Sequence, residues 1–339
     1  MRIGKGGAFM VICEHGHSSR LPGMNTVPDA KVPSRLDARD WFSATWVTAQ
    51  SAFDLDTSLR CAGVAFFGFL SVFPALSAAI SLFGLVADPG AIDVTELPFA
   101  VALPGEVITV INEQVASFAA RDAKLSFGLA ISLAVALWTG SRGMNALIFA
   151  VTRAYREDEE RAFLRSVLMS FAGTVGAFLV ISVIVVAVTL IPVAALVLPF
   201  PESREVAVLW LRWPVVAAVL AGAVLLLYRF APNRRSPRAR WVIPGALVAT
   251  LLWLVVSMAL SFFVENFGSY NATFGSIAAA AIFMLWLYAS AMVLVSGARL
   301  NAELEWRTQH DTTVGPYRPM GEREAYVADT LAPGIRDRD

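Results

Sequence analysis

"LAVALWTGSRGMNALIFAVTRAY", residues 133–155, begins as apolar as a lipid-facing helix, sets Arg142 among small residues, and turns apolar again. In water the pattern is one more helix with a charge on it. In a bilayer a guanidinium at that place is expensive and needs a partner, a cavity or an interface. The fold therefore turns on which solvent the chain meets.

Composition gives the first answer. Hydrophobic residues make up 57% of the chain and charged residues 16%, with a mean hydropathy of +0.62. Soluble domains average roughly 45–50% apolar and 25% charged residues, so the shift is toward membrane proteins. The formal net charge of +0 says less than where the charges fall. With two cysteines, Cys13 and Cys61, no disulfide framework is supported. The opening residues do not read as a signal peptide, because the apolar patch "AFMVIC" is short and "EHGHSSR" follows it. Cys13, His15 and His17 lack the spacing of a specific metal site.

A helix needs about 20 apolar residues to cross a hydrocarbon core roughly 30 Å thick. Six segments meet this, near 61–87, 125–150, 168–199, 206–230, 241–264 and 272–298. Lipid offers the backbone no hydrogen-bond partner, so they must be helices. The expected fold is all-α: a polytopic membrane protein over 37–305 with six transmembrane helices, a flexible tail over 1–36 and a polar, unordered tail over 306–339. Arginine and lysine crowd the segment before the first span, the loop holding Arg153, Arg156, Arg161 and Arg165, the turn "YRFAPNRRSPRARW" and the segment after the sixth span. The other connections hold only Arg121, Lys124 and Arg204. The positive-inside rule then places both termini and the two arginine-rich loops in the cytoplasm.

Two stretches have the pattern of interfacial amphipathic helices. Phe42, Trp46, Ala49 and Phe53 repeat at helical spacing, with Asp40, Gln50 and Asp54 elsewhere around the helix. Val107, Ile111, Val115 and Phe118 form a similar stripe in the long outer connection.

Arg142 lies eight residues from the expected end of its span at residue 150, roughly 12 Å inside at 1.5 Å per residue. Alternatively, the helix breaks at "TGSRG", where Gly140 and Gly143 permit it, and the arginine anchors at the interface. Asp54, Asp56, Glu157 and Glu303 fall on its side of the membrane and could pair with it, as could a lipid phosphate. Ser141 and Thr139 would add hydroxyls beside it. Pro74, flanked by Ser71 and Ser77, falls mid-span and should kink its helix. Tyr228, Arg229 and Asn233 of the "LYRFAPNRR" turn complete the candidate substrate-binding residues, with arginines suited to phosphate headgroups. Small residues from Gly275 to Ala281 should let the sixth span approach a neighbour closely.

The pieces "GFLSVFPAL" (68–76), "LWTGSRGMNAL" (137–147) with the following "AYREDEERAF", "LYRFAPNRR" (227–235), "WVIPGALVATLLWLVVSMALSFFVENFGSYNATFGSIAA" (241–279) and "LWLYASAMVLVSGARLNAELE" (285–305) stand in an order that resembles the YihY/BrkB family of bacterial inner-membrane proteins. Some members of that family were labelled ribonuclease BN. The resemblance covers roughly 40–305. It implies a six-helix bundle with cytoplasmic termini, an association with envelope integrity and, in one lineage, serum resistance. It carries no agreed molecular activity. Phe274 and Arg299 depart from the family pattern, which tends to have tyrosine and an acidic residue there.

Two functions fit: a transporter or flippase of an anionic envelope lipid or precursor, and a structural scaffold for envelope integrity. Membrane lipids, anionic ones among them, are the expected partners, with no nucleic acid and no cofactor. An enzyme is not expected. The three histidines, His15, His17 and His310, lie outside the spans, "EDEE" lies among arginines, and no phosphate-binding "GxxxxGK[ST]" pattern occurs.

Overall fold

The computed structural model describes residues 29–86, 125–197, 202–266 and 276–333. Eight α-helices fall within them: α1 (Ala38–Ser51), α2 (Leu55–Val86), α3 (Leu125–Ala154), α4 (Phe163–Val197), α5 (Glu202–Phe230), α6 (Ala239–Asn266), α7 (Ser276–Glu305) and the short α8 (Tyr326–Asp329). Among the described residues there is no strand, only an isolated bridge between Pro237 and Thr313. The long helices pack in chain order, and α7 closes the ring by packing on α2 as well as α6 and α3.

Among the described residues, five helices are long and apolar enough to cross a membrane: those containing Leu55–Ala75, Phe163–Val188, Trp213–Phe230, Ala239–Val264 and Ala280–Glu305. Their apolar side chains point outward. Only 6% of the Phe163–Val188 window is buried, and on α6 Leu251, Val255, Met258 and Phe262 form an exposed stripe. A water-soluble bundle would turn such stripes inward.

Small residues set the helix crossings. Gly143 on α3 meets Phe67 and Gly68 on α2, where a Cβ would stand 3.4 Å from the Gly68 nitrogen. A Cβ on Gly140 would stand 2.9 Å from Cγ2 of Thr174 on α4. Gly245 of α6 and Gly297 of α7 touch backbone to backbone, and a Cβ on Gly297 would lie 2.7 Å from the Gly245 carbonyl oxygen. Further along the same pair, Trp253 Nε1 donates to Ser290 Oγ at 3.0 Å and Trp286 Nε1 to Ser257 Oγ at 3.1 Å. These indoles satisfy their polar ends without water.

Three expectations need correction or completion. The helix does not break at Gly140 and Gly143: α3 is continuous to Ala154, because both glycines are spent on crossings. The segment after 305 is not an unordered tail, for residues 306–333 fold onto the charged end of the bundle. Its polar string is ordered because each buried group finds a partner: Arg323, 1% exposed, donates to the carbonyls of Ala328 at 2.7 Å and Gln309 at 2.8 Å. Residues 29–36 are also packed, with Ala30 and Thr308 exchanging hydrogen bonds of 3.0 Å and Leu36 buried beside Trp241, Leu300 and Leu304.

Helix α1 turns Ala44 and Thr48 inward and leaves Phe42 and Trp46 exposed at 71% and 57%, with Phe53, just past its end, at 88%. That is the aromatic stripe expected of an interfacial helix, although Asp40 is buried instead of solvated. The stripe from Val107 to Phe118, the Cys13–His15–His17 group, Phe274 and Gly275 lie outside the described residues.

Candidate functional site

The sequence "ARLNAELEWR" at the end of α7 spaces Arg299, Glu303 and Arg307 four residues apart, so the three share one helix face. The Glu303 side chain is 2% exposed and binds three guanidiniums: Arg299 at 3.0 Å, Arg307 at 3.0 Å and Arg156 at 2.9 Å. Arg156 arrives from the turn after α3, where its φ of 62° places it in the left-handed region. Its guanidinium lies 3.9 Å from the Trp306 ring centroid. One carboxylate thus draws α3, α7 and the C-terminal segment together and leaves positive charge in excess.

The opposite face of α7 carries Asn301 and Glu305. Gly245 N donates to Asn301 Oδ1 at 2.7 Å, and Asn301 Nδ2 donates to the Val242 carbonyl at 3.0 Å. Glu305 meets Arg234 at 2.5 Å with the two side chains 1% and 0% exposed, and it also accepts the Thr312 hydroxyl. Burial works against the charge on Arg234, but the adjacent Glu305 carboxylate outweighs it and the guanidinium pKa ends above its usual value.

Beside this network a cleft of about 130 Å³ opens between the start of α2, the end of α3 and α7. Arg60, Arg153 and Arg299 line it, with Asp54 and Asp56. Asp56 holds Arg60 in a two-pronged pair at 3.0 and 2.6 Å, and the Arg60 guanidinium lies 4.6 Å from the Phe149 ring centroid. Arg153 pairs with Asp158. A guanidinium has five N–H donors, so these pairs leave others for an incoming anion. Pockets that enclose whole small molecules run roughly 300–1,000 Å³; this one has room only for a small group.

The candidates named from sequence do not converge on one site. Arg142 is exposed on α3, its guanidinium 5.6 Å from the Trp138 ring centroid. The hydroxyls beside it bond to their own helix, Ser141 to the Trp138 carbonyl and Thr139 to the Val135 carbonyl, each at 2.8 Å. Of the four carboxylates expected within its topological reach, Glu303 is engaged as above, Asp56 with Arg60 and Glu157 with the Tyr326 N–H, and Asp54 lines the cleft. Pro74 is half-buried on α2. Tyr228 is fully buried and donates to the Leu294 carbonyl at 2.6 Å, locking α5 to α7. Arg229 lies 5.7 Å from the Phe230 ring, and Asn233 reaches the Asp158 carbonyl at 3.4 Å. Sequence reasoning passed over Arg60, Glu305 and the clustering role of Glu303; the four-residue spacing of charges in "ARLNAELEWR" was the available signal. Among the described residues no group of three or more His, Cys, Asp or Glu could hold a metal ion.

A multi-pass helical bundle with a basic cluster gathered at one end defines the class, an integral membrane protein. The chain belongs to the virulence factor BrkB family, whose sequence model matches residues 49–319. It is 34% identical over 187 residues to the ribonuclease-like protein YfkH of Bacillus subtilis, a match covering 54% of this chain and 66% of that protein. It is 37% identical over 89 residues to a UPF0761 membrane protein of Tolumonas auensis, covering 25% and 28% of the two chains. A UPF0761 membrane protein of Alteromonas mediterranea is 29% identical over 197 residues, covering 58% and 64%. Each match spans less than two thirds of the relative's own length. No solved structure matches.

Proposed function

We propose that this chain is a six-span protein of the bacterial inner membrane, with the basic end in the cytoplasm, that moves an anionic, phosphate-bearing envelope lipid between leaflets. The observation that carries the reading is the cleft in which α2, α3 and α7 each contribute an arginine, Arg60, Arg153 and Arg299. Three separate helices converge there on a space the size of a headgroup. Arginine forks match phosphate oxygens in geometry as well as charge.

The sixth span is α3, which packs on α2 and α4, two helices of membrane-spanning length and composition, at Gly143 and Gly140. The orientation is supported by the gathering of basic side chains from the ends of α2, α3, α6 and α7 at one end of the bundle. The exposed aromatics of α1 suit the headgroup boundary at that end. The chemistry proposed is binding and translocation, with no bond made or broken.

The test uses liposomes that contain phosphatidylglycerol with a fluorescent reporter and purified full-length protein. Wild-type protein should speed exchange of the reporter lipid between leaflets, and Arg299→Gln should slow that exchange about tenfold, the loss of one charge-assisted contact. No acceleration over protein-free liposomes overturns the reading. One observation favours a second function, a scaffold that moves nothing: α6 and α7 are closed backbone to backbone at Gly245 and Gly297. On that reading the protein would bind the reporter lipid without accelerating its exchange.

A further inference from the structure

We infer that the lipid headgroup crosses on the outer face of α3, from the cleft to Arg142, and not through the middle of the bundle. This rests on the lipid-transfer reading and specifies its route. At 100° per residue, Ile131, Val135, Trp138, Arg142, Phe149 and Arg153 fall within about 60° of one another on the helix. All six are exposed. The stripe therefore begins at Arg153 in the wall of the cleft, passes Phe149 under the Arg60 guanidinium, and reaches Arg142. Arg142 is eleven residues further along the helix, about 16 Å at 1.5 Å per residue.

The interior offers no comparable step. Among the described residues 61–75, 130–152, 166–188, 213–228, 241–264 and 280–298, Arg142 is the one charged side chain. Among the described residues, α6 and α7 close backbone to backbone at Gly245 and Gly297, and the Phe69, Phe283, Trp286 and Trp253 rings pack between α2, α6 and α7 at centroid distances of 5.7 to 6.1 Å. Arg142 faces the other way, toward the surface. A cation there has lost its water, and a phosphate group that reaches it gains a strong contact where none other is offered. The acyl chains can stay in the bilayer throughout, so a cleft too small for a whole lipid is no obstacle. Arg142 acts here as a positioning residue along the route, and the Trp138 ring beside it shields the guanidinium on its far side.

The experiment compares the full-length wild type with Arg142→Gln and Val135→Glu in phosphatidylglycerol liposomes. Met258→Gln and Met258→Glu, at a residue 71% exposed on the outer face of α6, control for a polar or acidic group set against lipid. Glycerol phosphate binding to the protein in detergent reports on the cleft separately. The expected result is transfer about tenfold slower in Arg142→Gln and Val135→Glu, wild-type transfer in both Met258 variants, and glycerol phosphate affinity within about twofold of wild type in all four. Val135→Glu places a like charge in the headgroup's path two turns beyond Arg142, so it reads the route even where Arg142→Gln fails to accumulate. Wild-type rates in both α3 variants, or equal slowing in the Met258 controls, overturn the outer-face route while leaving lipid transfer standing. Absence of transfer in the wild type instead removes the function on which the route rests.

Discussion

Glu303 is where the greatest electrostatic leverage per side chain lies. Three guanidiniums converge on it while it is 2% exposed, so removing its charge strands cations that have already lost their hydration. Breaking a buried ion pair from one side costs about 3–5 kcal/mol; Glu303→Gln should therefore unfold in detergent at a clearly lower temperature. Arg307→Lys, which keeps a charge in place, should do so by much less. A Glu303→Gln protein as stable as wild type would mean the three arginines find other partners. The residue scale is also where sequence was least informative. Arg142 stood out as a charge in an apolar run, but its orientation depends on which face of α3 the glycines occupy. Gly140 and Gly143 turn inward to α4 and α2, and Arg142 is left outside. Before the neighbouring helices are placed, a glycine that permits a break and a glycine that permits a crossing read the same.

At the scale of elements, the α6–α7 crossing and the C-terminal segment carry separate predictions. Gly297 stands against the Gly245 carbonyl, Ala249 and the Tyr228 hydroxyl. Overpacking a tight core costs typically about 1–3 kcal/mol, and this crossing involves backbone, which yields less than side chains. Gly297→Val should accumulate poorly, and its thermal unfolding should begin well below wild type, whereas Gly222→Ala, with nothing near the added carbon, should not differ. In the C-terminal segment Asp311 is buried, which alone would raise its pKa, yet the Thr313 hydroxyl and N–H and the Arg318 N–H stabilise the carboxylate and leave the pKa lowered. A carboxylate depressed in the folded state contributes stability above its unfolded pKa of about 3.9 and loses it as pH falls through the folded value. The stability gap between wild type and Asp311→Asn should therefore be full at neutral pH and narrow progressively as pH falls below about 4, as read by thermal unfolding across that range. A gap that stays unchanged as pH falls below about 4 would assign it to shape and not to charge. Apolar runs made the long helices legible from sequence, and the helices extend beyond those runs mainly at the charged end, where α7 continues to Glu305 on buried Asn301, Glu303 and Glu305. The fold of 306–333 had no such signal, since it rests on polar side chains meeting backbone groups distant in sequence, as Arg238 Nε meets the Thr313 carbonyl at 2.9 Å.

For the whole molecule, the arrangement is a closed ring of helices with an apolar surface and one end stitched by ion pairs. The basic turn after α5 is bound to the end of α7 by Arg234 to Glu305 and to the segment beyond it by Arg235 N to the Glu324 carbonyl at 3.1 Å. The loop after α3 is bound to both through Arg156 and through Arg161, whose Nη2 donates to the Ala231 carbonyl at 2.8 Å. Among the described residues, the arginine-rich connections that charge counting assigned to one side thus occur at one end. Charge counting could make that assignment without contacts, because the rule acts on loops during insertion. It could not foresee the cleft, which exists only where three helix ends meet.

Which side of the membrane this end occupies decides whether the cleft meets lipid from the cytoplasmic leaflet, and one measurement reads it directly. Glu160 is exposed in the loop after α3. Glu160→Cys, made with Cys13 and Cys61 replaced by serine, would be treated in whole cells with a membrane-impermeant maleimide, and again after the membrane is opened. The account predicts labelling only after opening; labelling of Glu160→Cys in intact cells would turn the bundle over and contradict it.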